Sequence, residues 1–159
     1  MLRTLTLGSG LAVMLVGSLS LAADLAPIDK ASEQVSAALA ALAPSGQVNR
    51  DDLLRYHPQV KEMSLFGKAH YLLALTKVAD TADLQAEVLD MIRAHANETS
   101  GKLVFSEEVD VAYKRILDSS LRTNCAILSA WLAAREPRQS GPTASDVPSR
   151  LVRTITQTR

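Results

Sequence analysis

The sequence predicts an all-α fold of stacked antiparallel helical hairpins, and three observations predict it. After Asp24, apolar residues recur at three- and four-residue spacings in segment after segment. Helix-ending or helix-starting residues punctuate those segments at Pro44-Ser45-Gly46, Asp80-Thr81-Ala82-Asp83, Ser119-Ser120 and Pro137. Strand-like alternation is confined to Lys102-Leu103-Val104-Phe105-Ser106, which predicts one short extended segment at an edge. About five helices result, and helix, turn, helix, long loop is the pattern of solenoids and alpha/alpha toroids.

In order, the first helix runs from Ile28 to Leu42, with Ala31, Val35, Ala38, Leu39 and Leu42 on one weakly apolar face. The polar stretch GQVNRDDLLRYHPQ reads as a linker in which Pro58 biases His57 away from helical geometry. A second helix begins near Gln59 to Lys61 and reaches Ala79. Its stripe of Leu65, Ala69, Leu72 and Leu75 is widened by Phe66, Leu73 and Val78, so it should be buried between neighbours. Thr81 is the expected N-cap of a third helix, where Leu84, Val88, Met91, Ile92 and His95 share a face, and the short connection makes the two an antiparallel hairpin. Asn97 to Gly101 ends that helix. Ser119 or Ser120 caps a fourth, whose expected apolar stripe is Leu121, Cys125, Leu128 and Leu132, flanked by Trp131 and Arg135. A loop, PRQSGPTASDVP, leads to a last helix over Pro148 to Gln157.

The first 23 residues differ in kind. Arg3 is their only charge, the run LTLGSGLAVMLVGSL follows, and small residues at Ser20, Ala22 and Ala23 offer a cleavage point before Ala23 or Asp24. A secretory signal is the reading, with an uncleaved anchor as the alternative. The chain divides into a signal peptide (1–23), a weakly apolar helix and linker (24–49) and a helical domain (50–159). Seventeen basic residues balance seventeen acidic ones and form no basic stripe, and aromatic residues make up 4%. Phosphate neutralisation and base stacking both lack their side chains, so nucleic acid is not an expected partner.

The residue types that carry chemistry do not assemble into a catalytic, cofactor or metal site. Cys125 sits on an expected apolar stripe well past the helix cap, where nothing lowers a thiol pKa, and is expected to be core filling. His57, His70 and His95 are isolated, without the converging ligands zinc requires, and the last two read as packed polar residues of their helices. The acidic pairs Asp51-Asp52 and Glu107-Glu108 are adjacent, which does not give the separation a glycosidase needs, so they read as loop charges or helix caps. Asn97-Glu98-Thr99 is a glycosylation sequon, relevant only in a eukaryotic secretory pathway. Arg122-Thr123-Asn124 concentrates polar groups at a helix start. Tying that start to neighbouring loops is the favoured role, holding a carboxylate such as Asp118 or Glu107 the other.

As an ordered set, DDLLRYHPQVKEMSLFGKAHYLLAL, DMIRAHANETSGKLVFSEE, ILDSSLRTNCAILSAWLAARE and DVPSRLVRTITQTR resemble the thioester-domain region of bacterial alpha-2-macroglobulin-like proteins, over about residues 50 to 159. The resemblance implies an alpha/alpha toroid, here incomplete, and descent from exported endopeptidase inhibitors that trap proteases. The Cys-x-Glu-Gln motif of thioester-bearing members is missing, since Cys125 is followed by Ala126, Ile127 and Leu128. The expectation is therefore a noncatalytic fragment or pared-down relative, exported to the periplasm or secreted, with proteases or other exported proteins as partners. An independent periplasmic helical protein-binding module is the alternative. A piece of a ring leaves apolar faces uncovered, so self-association or weakly cooperative unfolding is also expected.

Overall fold

The computed structural model describes residues 27–107, 119–134 and 146–157, and they are mostly helical. In chain order they form α1 (Pro27–Leu42), α2 (Arg50–Tyr56), α3 (Leu65–Leu75), α4 (Ala82–Arg93), the strands β1 (Ala96–Thr99) and β2 (Lys102–Phe105), α5 (Ser120–Ala133) and α6 (Asp146–Gln157). The expected signal segment and its cleavage point lie outside the described residues, as do Glu108, Asp118 and Arg135. Among the described residues no helix is long and apolar enough to cross a membrane.

The organising element is α3, against which α1, α4 and α5 all pack. Leu65, Ala69, Tyr71, Leu72, Ala74 and Leu75 are fully buried, as expected of a helix apolar on most of its circumference. Gly67 lies against α1, and its one tight neighbour is Met63. A Cβ there would stand 3.2 Å from the Met63 Cβ and 3.6 Å from both the Glu33 side chain and the Ser36 hydroxyl oxygen.

The polar stretch expected to be a linker instead contains α2 and a 3-10 helix, His57–Glu62. A capping box starts α2: the Asn49 side chain accepts from Asp52 N (3.0 Å) and the Asp52 carboxylate accepts from Asn49 N (3.1 Å). His57 is helical at φ −56°, ψ −40°, contrary to the bias expected from Pro58. Pro58 falls in the first turn of the 3-10 helix, where its missing N–H removes no needed bond. The second expected helix thus starts later, because Met63 turns extended (ψ 151°) and lets Ser64 cap α3 through its hydroxyl, which accepts from Gly67 N at 3.1 Å. It also ends earlier, at Leu75. Beyond it Asp80 takes a left-handed φ of 57°, and the Thr81 hydroxyl donates to Leu75 O (2.7 Å) and Val78 O (3.0 Å) in place of capping α4.

The expected extended segment is β2, and it has a partner that period counting missed. Antiparallel β1 pairs with it in the register Ala96 to Phe105 through Thr99 to Lys102. The turn between them sets Ser100 (φ 51°) and Gly101 (φ 75°) both left-handed, the conformation a two-residue hairpin of this twist requires. The far edge of β2 is closed by side chains. Asn124 of α5 accepts from Phe105 N (2.9 Å) and donates to Phe105 O (3.1 Å), as a third strand would. From α6, the Thr154 hydroxyl accepts from Leu103 N at 3.1 Å.

That edge contact corrects the expected packing of α5. Thr123, Asn124, Ile127, Ala130 and Trp131 form its buried face. Leu121 and Leu132 are 50% exposed, and Cys125, expected in the core, is exposed. The physical reason is rotational: aiming Asn124 at β2 turns the neighbouring residue, about 100° round the helix, outward.

Candidate functional site

Two places stand out, a polar junction and an apolar groove. The first is a polar junction at the N-terminus of α3. There the Glu107 carboxylate accepts from Leu65 N (2.8 and 3.0 Å), and the Ser64 hydroxyl donates to the Glu33 carboxylate. Lys68, 5% exposed, donates to Met63 O. Burial pushes its ammonium pKa down, and Glu107 opposes that shift. Every group named has a local structural partner, so the junction ties α1, α3 and the end of β2 together. The small cleft beside it, about 50 Å³, is lined by Leu65, Phe105, Ser106, Glu107, Ser120 and Thr123 and has room for little more than water.

On the outer side of α3, the Arg122 guanidinium lies 3.8 Å over the Phe66 ring, and Phe66 meets His70 edge-on at 4.4 Å. Burial lowers the His70 pKa, Arg122 lowers it further, and Glu33 opposes both. An imidazole whose folded pKa lies below its unfolded value binds protons more readily in the unfolded chain, so stability falls as pH drops through about 6.5 toward the folded value. The expected result is that His70→Gln flattens this acid-side loss, measured as the change in urea midpoint between pH 7.5 and 5.

The other histidines are also accounted for. His57 joins Glu87 through Nε2 (3.0 Å), while its Nδ1 lies 3.5 Å from the Tyr71 hydroxyl, which donates to Leu53 O at 2.7 Å. Burial raises the Tyr71 pKa, with Glu87 adding to the shift. Tyr71 is fully buried, so of this Glu-His-Tyr chain only Glu87 and an edge of His57 reach the surface. His95, expected on the third helix, instead lies beyond the end of α4 at Arg93, donating its N–H to Ile92 O and accepting from Ser106 N through its carbonyl. Among the described residues no three His, Cys, Asp or Glu side chains could hold a metal ion together. Of the acidic pairs, Asp52 and Glu107 both serve helix starts. Asn97 stands exposed on β1, its amide donating to Ser106 Oγ at 2.6 Å.

The second place is a groove of about 380 Å³ between α5 and α6, lined by Cys125, Leu128, Leu132, Val152 and Ile155, with Ser129 and Thr156. Its walls are held in place from beneath, by Asn124 and Thr154 on β2 and by buried Leu151 and Ile127. The arrangement has no acid, base or convergent donors. It is an open apolar channel along two helices, suited to receiving another helix. Sequence periodicity picked out the α5 residues correctly as a stripe but assigned it to the core. Comparison with known proteins found no matching family model, no similar curated protein and no similar solved structure.

Proposed function

We propose that this chain is a noncatalytic, exported helical module that receives a helix of a protein partner in the α5/α6 groove. The observation that carries the reading is the apolar row around exposed Cys125, in which Leu132 and Val152 are exposed and Leu128 and Ile155 are partly buried, resting on a helix pair whose inner face is already satisfied by the core. Apolar side chains left contiguous on a surface mark interaction sites, and the two parallel walls favour the helix-in-groove mode. Export comes from the charge-poor residues before Asp24. The test uses a fluorescein-labelled synthetic amphipathic helix with leucines at alternating three- and four-residue spacing. Anisotropy should rise on titration with the chain, and Leu132→Asp with Val152→Asp should abolish the rise while circular dichroism stays native. Equal binding of a scrambled peptide, or binding unchanged in the double variant, would count against the groove.

A second reading is supported by the same uncovered face: a pared-down relative of the bacterial alpha-2-macroglobulin-like inhibitors, in which α3–α4 and α5–α6 are hairpins of an incomplete alpha/alpha toroid. In a longer ring the next hairpin would lie where the groove is open. Without the Cys-x-Glu-Gln sequence, such a relative would not acylate a protease. Proteases and other exported proteins are the partner class under this reading. A neighbouring reading frame that resumes with toroid helices is what favours it over the independent module.

A further inference from the structure

The geometry points to a second copy of this chain as the occupant of the groove, its α5 lying antiparallel to the first across a two-fold axis. This rests on the docking-face reading above and names the partner. Leu121, Cys125, Leu128 and Leu132 run along one side of α5, Leu121 and Leu132 half-exposed, Cys125 exposed and Leu128 partly buried against the core. Their spacing of four, three and four residues is that of a coiled-coil seam. It also reads the same in both directions. When a second α5 is laid antiparallel, Leu121 meets Leu132 of the second copy and Cys125 meets Leu128 of the second copy. Self-complementarity of this kind is what a two-fold, isologous contact demands.

Charge agrees with the same occupant. From Ser119 to Ala134 the only charged side chain is Arg122, and its guanidinium is turned onto the Phe66 ring. The seam is therefore neutral, so two copies meet without opposing like charges. The antiparallel arrangement also sets the N-terminus of each α5 beside the C-terminus of the other, where helix dipoles attract, and α5 carries no basic residue in its own last turn to do so. Val152 and Ile155 of α6 flank the seam, so each α5 would settle between the partner's α5 and α6 as a four-helix arrangement. Each thiol faces a leucine, which makes the contact noncovalent.

Sedimentation equilibrium of the mature chain over a concentration series tests this. A reversible monomer–dimer equilibrium, unchanged by reductant, is expected. Leu132→Asp should raise the dimer dissociation constant about a hundredfold, because each substitution enters the interface twice. Register is tested separately in a Cys125→Ala background: Leu121→Cys with Leu132→Cys should give a dimer crosslinked by two disulfides under mild oxidation, and neither cysteine alone should crosslink. Within one chain those positions lie about 16 Å apart along α5, too far to bond to each other. A chain that stays monomeric with native circular dichroism, a dimer indifferent to Leu132→Asp, or crosslinking by either single cysteine would each overturn the inference. Should the monomeric chain still bind the amphipathic peptide, the occupant is a foreign helix and the docking face itself stands. Should it bind neither, both readings fall.

Discussion

Replacing Asn124 by alanine is expected to lower the unfolding free energy by about 3 to 4 kcal/mol, the largest effect of any polar substitution among the described residues. The side chain is 3% exposed and makes one bond from Phe105 N (2.9 Å), one to Phe105 O (3.1 Å) and one to Ser120 O (2.8 Å). Each such bond contributes about 0.5 to 1.5 kcal/mol net, and a buried group left without a partner costs about 1 to 3 kcal/mol more. Alanine leaves Phe105 N and O facing a space with no replacement donor or acceptor. Helix propensity offsets only about 0.7 kcal/mol of this. Asn124→Asp provides the chemical control, since a carboxylate still accepts from Phe105 N but repels Phe105 O. Protonation restores a donor, so the carboxyl would hold its proton more tightly in the folded chain, and the variant should regain stability as pH falls. Urea denaturation at pH 7 and pH 4.5 reads both effects. An Asn124→Ala midpoint within 0.5 kcal/mol of wild type would mean that α5 is not held through β2.

The same residue shows what the sequence disclosed and what it withheld. Helical spacing and caps are local quantities, so α1, α4, α5 and α6 were legible, with the Ser119 cap seen in its Oγ accepting from Arg122 N. The all-round apolar character of α3 likewise disclosed its central place. Which face of α5 turns inward was not legible, because Leu121, Cys125, Leu128 and Leu132 form a better apolar stripe than Thr123, Asn124, Ile127 and Trp131. The inward face is decided by a tertiary bond between Asn124 and a strand 19 residues away, and periodicity carries no information about that. The concentration of polar groups in Arg122-Thr123-Asn124 was the available signal. Asn124 does tie the helix start to β2, but drawing the consequence for Cys125 required knowing that Phe105 lay opposite.

Missed elements have similarly physical causes. About two turns is too short to show a helical period, so α2 was hidden, although Asn49 with Asp52 at N3 had the composition of a capping box. The strand β1, Ala-Asn-Glu-Thr, has no apolar alternation because all four residues are exposed. Only its pairing with β2 and the Ser100-Gly101 turn make it a strand. The groove escaped notice for a third reason: an apolar face that serves a partner looks, in a sequence, like one that serves the core. Only the packing of α5 tells them apart.

Leu72→Ala is expected to cost about 2 to 5 kcal/mol, a large fraction of the roughly 5 to 15 kcal/mol that holds a domain together. Leu72 is fully buried on α3, and α3 is the helix on which α1, α4 and α5 converge, so a cavity there has no loose neighbour able to fill it. Leu54→Ala is the matched control, the same chemistry at a site 40% exposed on α2, and should stay within about 1 kcal/mol of wild type. The variant also bears on how the chain functions. Trp131, on α5 with its ring 6.1 Å from Phe105, reports one side of the molecule through fluorescence, whereas far-UV circular dichroism reports every helix. With α3 at the centre, both probes should shift together to the same lower urea midpoint at an unchanged m-value, as for a single cooperative unit. A self-contained core is what a binding module needs in order to present its groove unassisted. Separate transitions for the two probes would instead mean that the α5 side unfolds independently of the rest, the behaviour of a ring segment missing its neighbours, and would favour the incomplete toroid.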